Sequence, residues 1–126
     1  MNFKDLPPLG APLSTGTFAG LTTLTDGTHY AVVLLPEQVE GLTWESALDW
    51  AKKCVAELPS RPIAAMLFHN LKDKLQPRWH WTNETYEGEA SCAWLCYFGF
   101  GSQTSDHESY EGSAVAVRLI PIGETK

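Results

Sequence analysis

Residues 91–98 read Ser-Cys-Ala-Trp-Leu-Cys-Tyr-Phe. Side chains alternate between the two faces of an extended strand, so Cys92, Trp94, Cys96 and Phe98 share one face and Ala93, Leu95 and Tyr97 the other. Both faces are apolar, which suits a strand in the middle of a sheet with cover on both sides. A chain containing such a strand must supply that cover.

Two helices are predicted to supply it. Thr43 is placed to cap a helix with Glu45 in its first turn, and Trp44, Ala47, Leu48, Ala51, Cys54, Val55 and Leu58 recur at spacings of three and four. Pro59 stops that helix and Ser60 caps a second, whose inward face is Ile63, Met66, Leu67, Asn70 and Leu71 before Gln76-Pro77 breaks it. Upstream, residues 16–24 and 29–35 are apolar or β-branched runs divided by Asp26-Gly27, the mark of a hairpin that Pro36 ends. Downstream, residues 79–82 and 114–120 read as strands, and residues 99–113 (GFGSQTSDHESYEGS) as a long loop or irregular hairpin. The predicted class is α+β, with two helices packed on small antiparallel sheets. One domain covers residues 16–122, preceded by an extended leader, residues 1–15, that carries Pro7, Pro8 and Pro12.

A chain of 126 residues with 44% hydrophobic and 19% charged content can bury a core without metal or disulfide, and no cofactor is implied. Its three cysteines are an odd number, and Cys92 and Cys96 lie roughly 13 Å apart along one strand, too far to bridge. Free thiols fit a reducing compartment. No apolar stretch reaches the length of a signal peptide or membrane span, so the expectation is a cytoplasmic protein with no membrane contact.

The net charge of −6 is unevenly spread. Lys52, Lys53, Arg61, Lys72, Lys74 and Arg78 face only Glu57 and Asp73 in the middle of the chain, whereas residues 79–117 hold acids and no Lys or Arg. An acidic half argues against direct nucleic-acid binding, which needs cations for phosphates, and fits a basic protein surface instead.

The ordered set ELPSR, AAMLFHNLKD, WHWTNE, AWLCYFGFG and VAVRLIP, running from Gly16 to Pro121, resembles a family of uncharacterised function found in bacteriophages and prophages. That family is related to the C-terminal domain of collagen-like lectins, so the resemblance implies a C-type-lectin-like fold. The wider fold includes sugar binders, phage receptor-binding proteins and formylglycine-generating enzymes, so it fixes no function. Calcium-dependent lectins carry Trp-Asn-Asp where this chain has Trp81-Thr82-Asn83, and Arg78 closes Gln76-Pro77-Arg78 with a cation where they have an oxygen ligand. The formylglycine-generating enzymes use paired cysteines near the C-terminus, and none lies beyond Cys96 here.

Two stretches look catalytic. In RWHWTNE, residues 78–84, His80 is flanked by Trp79 and Trp81; it reads as a histidine at a sheet rim with both indoles in the core. Asp106-His107-Glu108 resembles part of a triad, but adjacent side chains do not converge on one point. No catalytic residue is expected. The segment does combine aromatic and acidic side chains suited to recognition, so the partner-binding residues are predicted to be Tyr97, Phe100, Gln103, Asp106, His107, Glu108, Tyr110 and Glu111. The expected function is non-catalytic binding of a bacterial host protein with a basic surface, including inhibition of a host defence or nucleic-acid enzyme. A glycan or cell receptor bound without calcium is the alternative ligand, an enzyme with an unrecognised site is a third reading, and a homo-oligomer is compatible with each.

Overall fold

The structure, a computed structural model, describes residues 1–123. Among them the strands are β1 (Pro12–Leu13), β2 (Gly16–Thr23), β3 (His29–Leu42), β4 (Trp79–Thr85), β5 (Cys92–Tyr97), β6 (Gln103–His107) and β7 (Gly112–Ile122). The helices are α1 (Trp44–Lys53) and α2 (Arg61–Leu71), and no described helix is long and apolar enough to cross a membrane. The strands form one seven-stranded sheet in the order β1-β2-β3-β7-β4-β5-β6. Neighbours are antiparallel except β4 and β7, which run parallel and meet at one register position, His80 with Ser113.

This corrects the expected C-type-lectin-like α+β arrangement of two helices on small antiparallel sheets. The frame is a mixed seven-stranded sheet, with 44% of the described residues in strands and 22% in helices. The extra strand content has local causes. Pro36 lies where the β3–β7 register shifts between Leu34 and Gln38, a place where its missing N–H breaks no regular ladder, so β3 continues to Leu42. Residues 103–107, expected as loop, pair along β5 as β6, and Pro12–Leu13 pair with β2.

The helices cover opposite faces of the sheet. Cys96, Phe98, Val115 and Val117 pack with Ile63, Leu67 and Leu71 of α2, while Ala93, Leu95, Ala114 and Ala116 pack with Ala47 and Ala51 of α1 and with Leu58 and Trp81. The strand that is apolar on both faces is thus covered on both. Close approach of α2 to β2 depends on Gly20: at φ 138° it sits in a register irregularity, and an added Cβ would lie 2.9 Å from Met66 Sδ. Beside it, Asn70 Nδ2 donates to the Ala19 carbonyl at 2.7 Å.

Helix α1 is shorter than its apolar stripe. The Ala56 N–H closes back on the Ala51 carbonyl, Val55 takes φ 55°, and its side chain turns outward to 79% exposure. A left-handed β-branched residue is strained, and Arg118 holds it by donating to the carbonyls of Val55 and Cys54 at 3.0 and 2.7 Å. Glu57 then forms a β-bridge with Val117. At the other end, a 3-10 turn spans Phe3–Asp5, and Leu6 and Leu13 pack against Phe18, Ala31 and Ile122.

Candidate functional site

Strand alternation divides β4 and β5 into two unlike faces. On the α2 face, His80 of β4, Cys96 of β5 and Gln103 of β6 occupy neighbouring register positions and form a polar row. Its outer end is locked: Arg61 Nε donates to Gln103 Oε1 at 2.8 Å, Gln103 Nε2 donates to the Arg61 carbonyl at 2.9 Å, and the Arg61 guanidinium lies 3.5 Å over the Trp94 ring. The first turn of α2 is also occupied, because Glu84 Oε2 accepts from the Arg61 N–H at 2.7 Å and Ser60 Oγ from Ile63.

The inner end of the row is His80, which is 1% exposed, so the rim position expected from sequence is corrected to a core one. Its ring lies 4.5 Å from that of Phe98. A carbonyl can only accept, so the 2.9 Å contact between His80 Nδ1 and the Arg78 oxygen places the ring proton on Nδ1. Nε2 is then a buried acceptor with no partner among the described residues. Burial pushes the ring's pKa down to about 4; the Arg78 carbonyl contact opposes this, and the Arg78 charge adds to it. Cys96 is moved by the same cause, since burial pushes its thiol up against a smaller lowering effect from Gln103. Neither group is accessible as a base or nucleophile.

The other face opens into a cleft of about 410 Å³ lined by Glu40, Gly41, Arg78, Trp79, Tyr97, Tyr110 and Glu111, with Pro77, Gly112 and Ser113. Its position follows from the topology. The β3–β7 register shifts between Val39 and Leu42, and at the same place β7 makes its parallel contact with β4, Ser113 with His80, so residues of β3, β4 and β7 meet irregularly at the start of β7. Aromatic rings wall the cleft: Trp79 and Tyr97 lie 5.2 Å apart, and Tyr110 sets an edge against buried Trp81 at 6.1 Å. The Trp81 indole donates to the Leu42 carbonyl at 2.9 Å, fixing the floor. Arg78 and Glu40 pair at 3.3 Å across the rim, with side chains 55% and 63% exposed. Phe100 is 80% exposed, its ring 5.7 Å from that of Tyr97. Gly101, at φ 80°, turns the chain behind it, and a Cβ there would meet the Phe68 ring at 2.7 Å.

The predicted residues therefore divide. Tyr97, Tyr110 and Glu111 line the cleft and Phe100 adjoins it through Tyr97. Gln103 does not; it is bound to Arg61 on the opposite face. Asp106, His107 and Glu108 do not line it either. Asp106 Oδ1 accepts from the His107 N–H at 2.7 Å, His107 Nδ1 pairs with Ser109 Oγ at 2.8 Å, and the Glu108 carbonyl accepts from the Trp44 N–H at 3.0 Å, which ties this turn to α1. Burial first, and then the carboxylates of Glu89, Asp106 and Glu108, push the nearby Cys92 thiol up. Among the described residues there is no group of three or more His, Cys, Asp or Glu able to hold a metal ion.

Sequence reasoning misses Glu40, Arg78 and Trp79. The first lies beyond the proline that ends the expected strand, and the expected place of Trp79 is the core, beside Trp81. The charge segregation also looks different in three dimensions, since Arg61 and Arg78 of the basic segment reach Trp94 and the cleft rim. No family model matches this chain, and no curated protein matches it.

Proposed function

We propose that the chain is a non-catalytic binding module of phage or prophage origin that recognises a protein of its bacterial host in the cytoplasm. The observation that carries this reading is the cleft, where three aromatic side chains, an exposed neighbouring phenylalanine and two carboxylates lie together on a fixed floor. Aromatic anchors in a concave site with a charged rim are what dominates recognition energy in protein interfaces. The acidic balance of the chain favours a partner with a basic surface, including a defence or nucleic-acid enzyme whose cationic groove would be covered. Burial of His80 and the local use of Asp106 and His107 support a role without catalysis. The resemblance of the ordered segments supports the phage origin.

A photo-crosslinking residue at Phe100, compared with one at Lys52 on α1, tests this in host cells. A specific adduct from position 100, weakened by salt and lost with Tyr110→Ala, is the expected result. Adducts only from position 52 would move the functional surface from the cleft to the exposed side of α1. Calcium-independent binding of a glycan is the second reading, favoured by flat rings beside carboxylates, and a saturable glycan-array signal that disappears with Trp79→Ala would select it.

A further inference from the structure

We infer that the cleft is a receptor for one cationic side chain, an arginine of the partner protein. This rests on the binding-module reading and names the chemistry that it leaves open. The cleft holds two carboxylates, Glu40 and Glu111, against one guanidinium, that of Arg78, so it carries one net negative charge. Arg78 pairs with Glu40, and among the described residues no cation pairs with Glu111. The aromatic walls supply the second requirement, because ring faces attract cations and a guanidinium can stack on a ring while its edge donates to a carboxylate.

The molecule already builds a similar arrangement on its other side, with an amide oxygen in place of the carboxylate. Arg61 lies 3.5 Å over Trp94 while its edge donates to Gln103 Oε1 at 2.8 Å. There the guanidinium is the chain's own and the site is filled. The cleft has the complementary parts, rings from Trp79, Tyr97 and Tyr110 with an unpaired carboxylate at Glu111, and is open to solvent. An ammonium would satisfy the charge but not the planar stacking, so arginine is preferred to lysine.

The test uses the full chain and short peptides of otherwise neutral composition carrying a central arginine, lysine or citrulline, the last being the uncharged analogue of arginine. Indole N–H resonances report on Trp79, and circular dichroism confirms that every variant is folded. The arginine peptide is expected to shift the Trp79 signal saturably, with the citrulline peptide and the Glu111→Gln variant each at least about tenfold weaker, the size expected for one desolvated cation–π and ion-pair contact. Equal binding of arginine and citrulline peptides, or an arginine peptide that never saturates the Trp79 signal, overturns the inference. The function reading is judged separately by crosslinking. A partner captured at Phe100 whose affinity is unchanged by Glu111→Gln refutes the cation receptor and leaves the binding module standing, whereas no capture at position 100 removes both.

Discussion

On the α2 face of β5, Arg61 is stacked on Trp94 and bonded to Gln103, and the row ends at a histidine closed off from water; on the α1 face, Trp79, Tyr97 and Tyr110 stand around an open cleft whose rim pair faces solvent. Both faces are built from aromatic, polar and charged side chains. They differ in where the covering element lies. Helix α2 brings its own first turn against β5 and β6 and supplies the cation, whereas the cleft on the other face, at the start of β7, stays open to solvent. Similar residue chemistry thus becomes a structural clamp or a recognition surface according to whether the chain itself fills the site.

The largest expected effect separates the two tryptophans of one strand. Trp81 is fully buried and donates to Leu42, so Trp81→Ala should cost about 3–5 kcal/mol of stability. Trp79 is half-buried at the cleft wall, and Trp79→Ala should cost clearly less while removing ligand binding. Denaturant unfolding of both variants measures this, and equal losses would break the distinction between floor and wall.

A second test acts on the filled face through pH. The folded His80 ring titrates near 4, below the ordinary 6.5, so between these values the unfolded chain binds the proton that the folded chain refuses. Stability should therefore fall as pH drops from 6.5 toward 4. The loss from this residue should total about 3 kcal/mol, since each tenfold difference in proton affinity between the folded and unfolded chain is worth about 1.4 kcal/mol. His80→Phe should remove this part of the acid sensitivity while changing stability little at neutral pH, because it also removes an unpartnered buried acceptor. Parallel pH profiles for the two proteins would mean that His80 gains a partner or water that this packing does not give it.

An intermediate effect belongs to the open face. Phe100→Ala should leave the unfolding midpoint within experimental error, since the ring is largely in solvent, and should weaken partner binding by about 2 kcal/mol if that ring is an anchor. Calorimetric titration against the crosslinked partner checks it, and an unchanged affinity would confine the recognition surface to the cleft proper.

How much of this is legible in the sequence varies with the physics behind each element. The strand that is apolar on both faces, both helix caps and the inward faces of the helices follow from period and capping chemistry: Thr43 Oγ1 accepts from Ser46 N–H, and Ser60 Oγ from Ile63. That strand, β5, lies beside the edge strand β6 and not in the middle of the sheet, because cover on both faces comes from the helices and not from its place in the strand order. Val55 fits the helical period yet points outward, because backbone closure at Cys54 and the long-range Arg118 clamp decide its direction. Strand β6 is hidden because Gln103–His107 is polar and pairs through its backbone, which leaves no hydrophobic period. The cleft is half legible. Tyr97, Tyr110 and Glu111 lie in a visibly aromatic and acidic stretch, but Glu40 and Arg78 enter through a register irregularity and a parallel contact between distant strands, neither of which has a local sequence signature.

The smallest expected effect is the most specific to the open face. The Arg78–Glu40 pair is more than half exposed on both sides, so breaking it should change stability by no more than about 1 kcal/mol. Its two halves should nevertheless act oppositely on association. Glu40→Gln removes one of two carboxylates and brings the cleft charge to zero, which should slow capture of a cationic segment and flatten its salt dependence. Arg78→Gln leaves both carboxylates unopposed, doubles the net negative charge, and should speed capture and steepen that dependence, since screening acts on the long-range field. Stopped-flow association of the arginine peptide at two ionic strengths distinguishes these outcomes. Opposite signs would place the recognition charge at this rim; equal signs would mean that the pair acts by holding the β3 and β4 sides of the cleft in position, making the open face, like the filled one, a structural clamp.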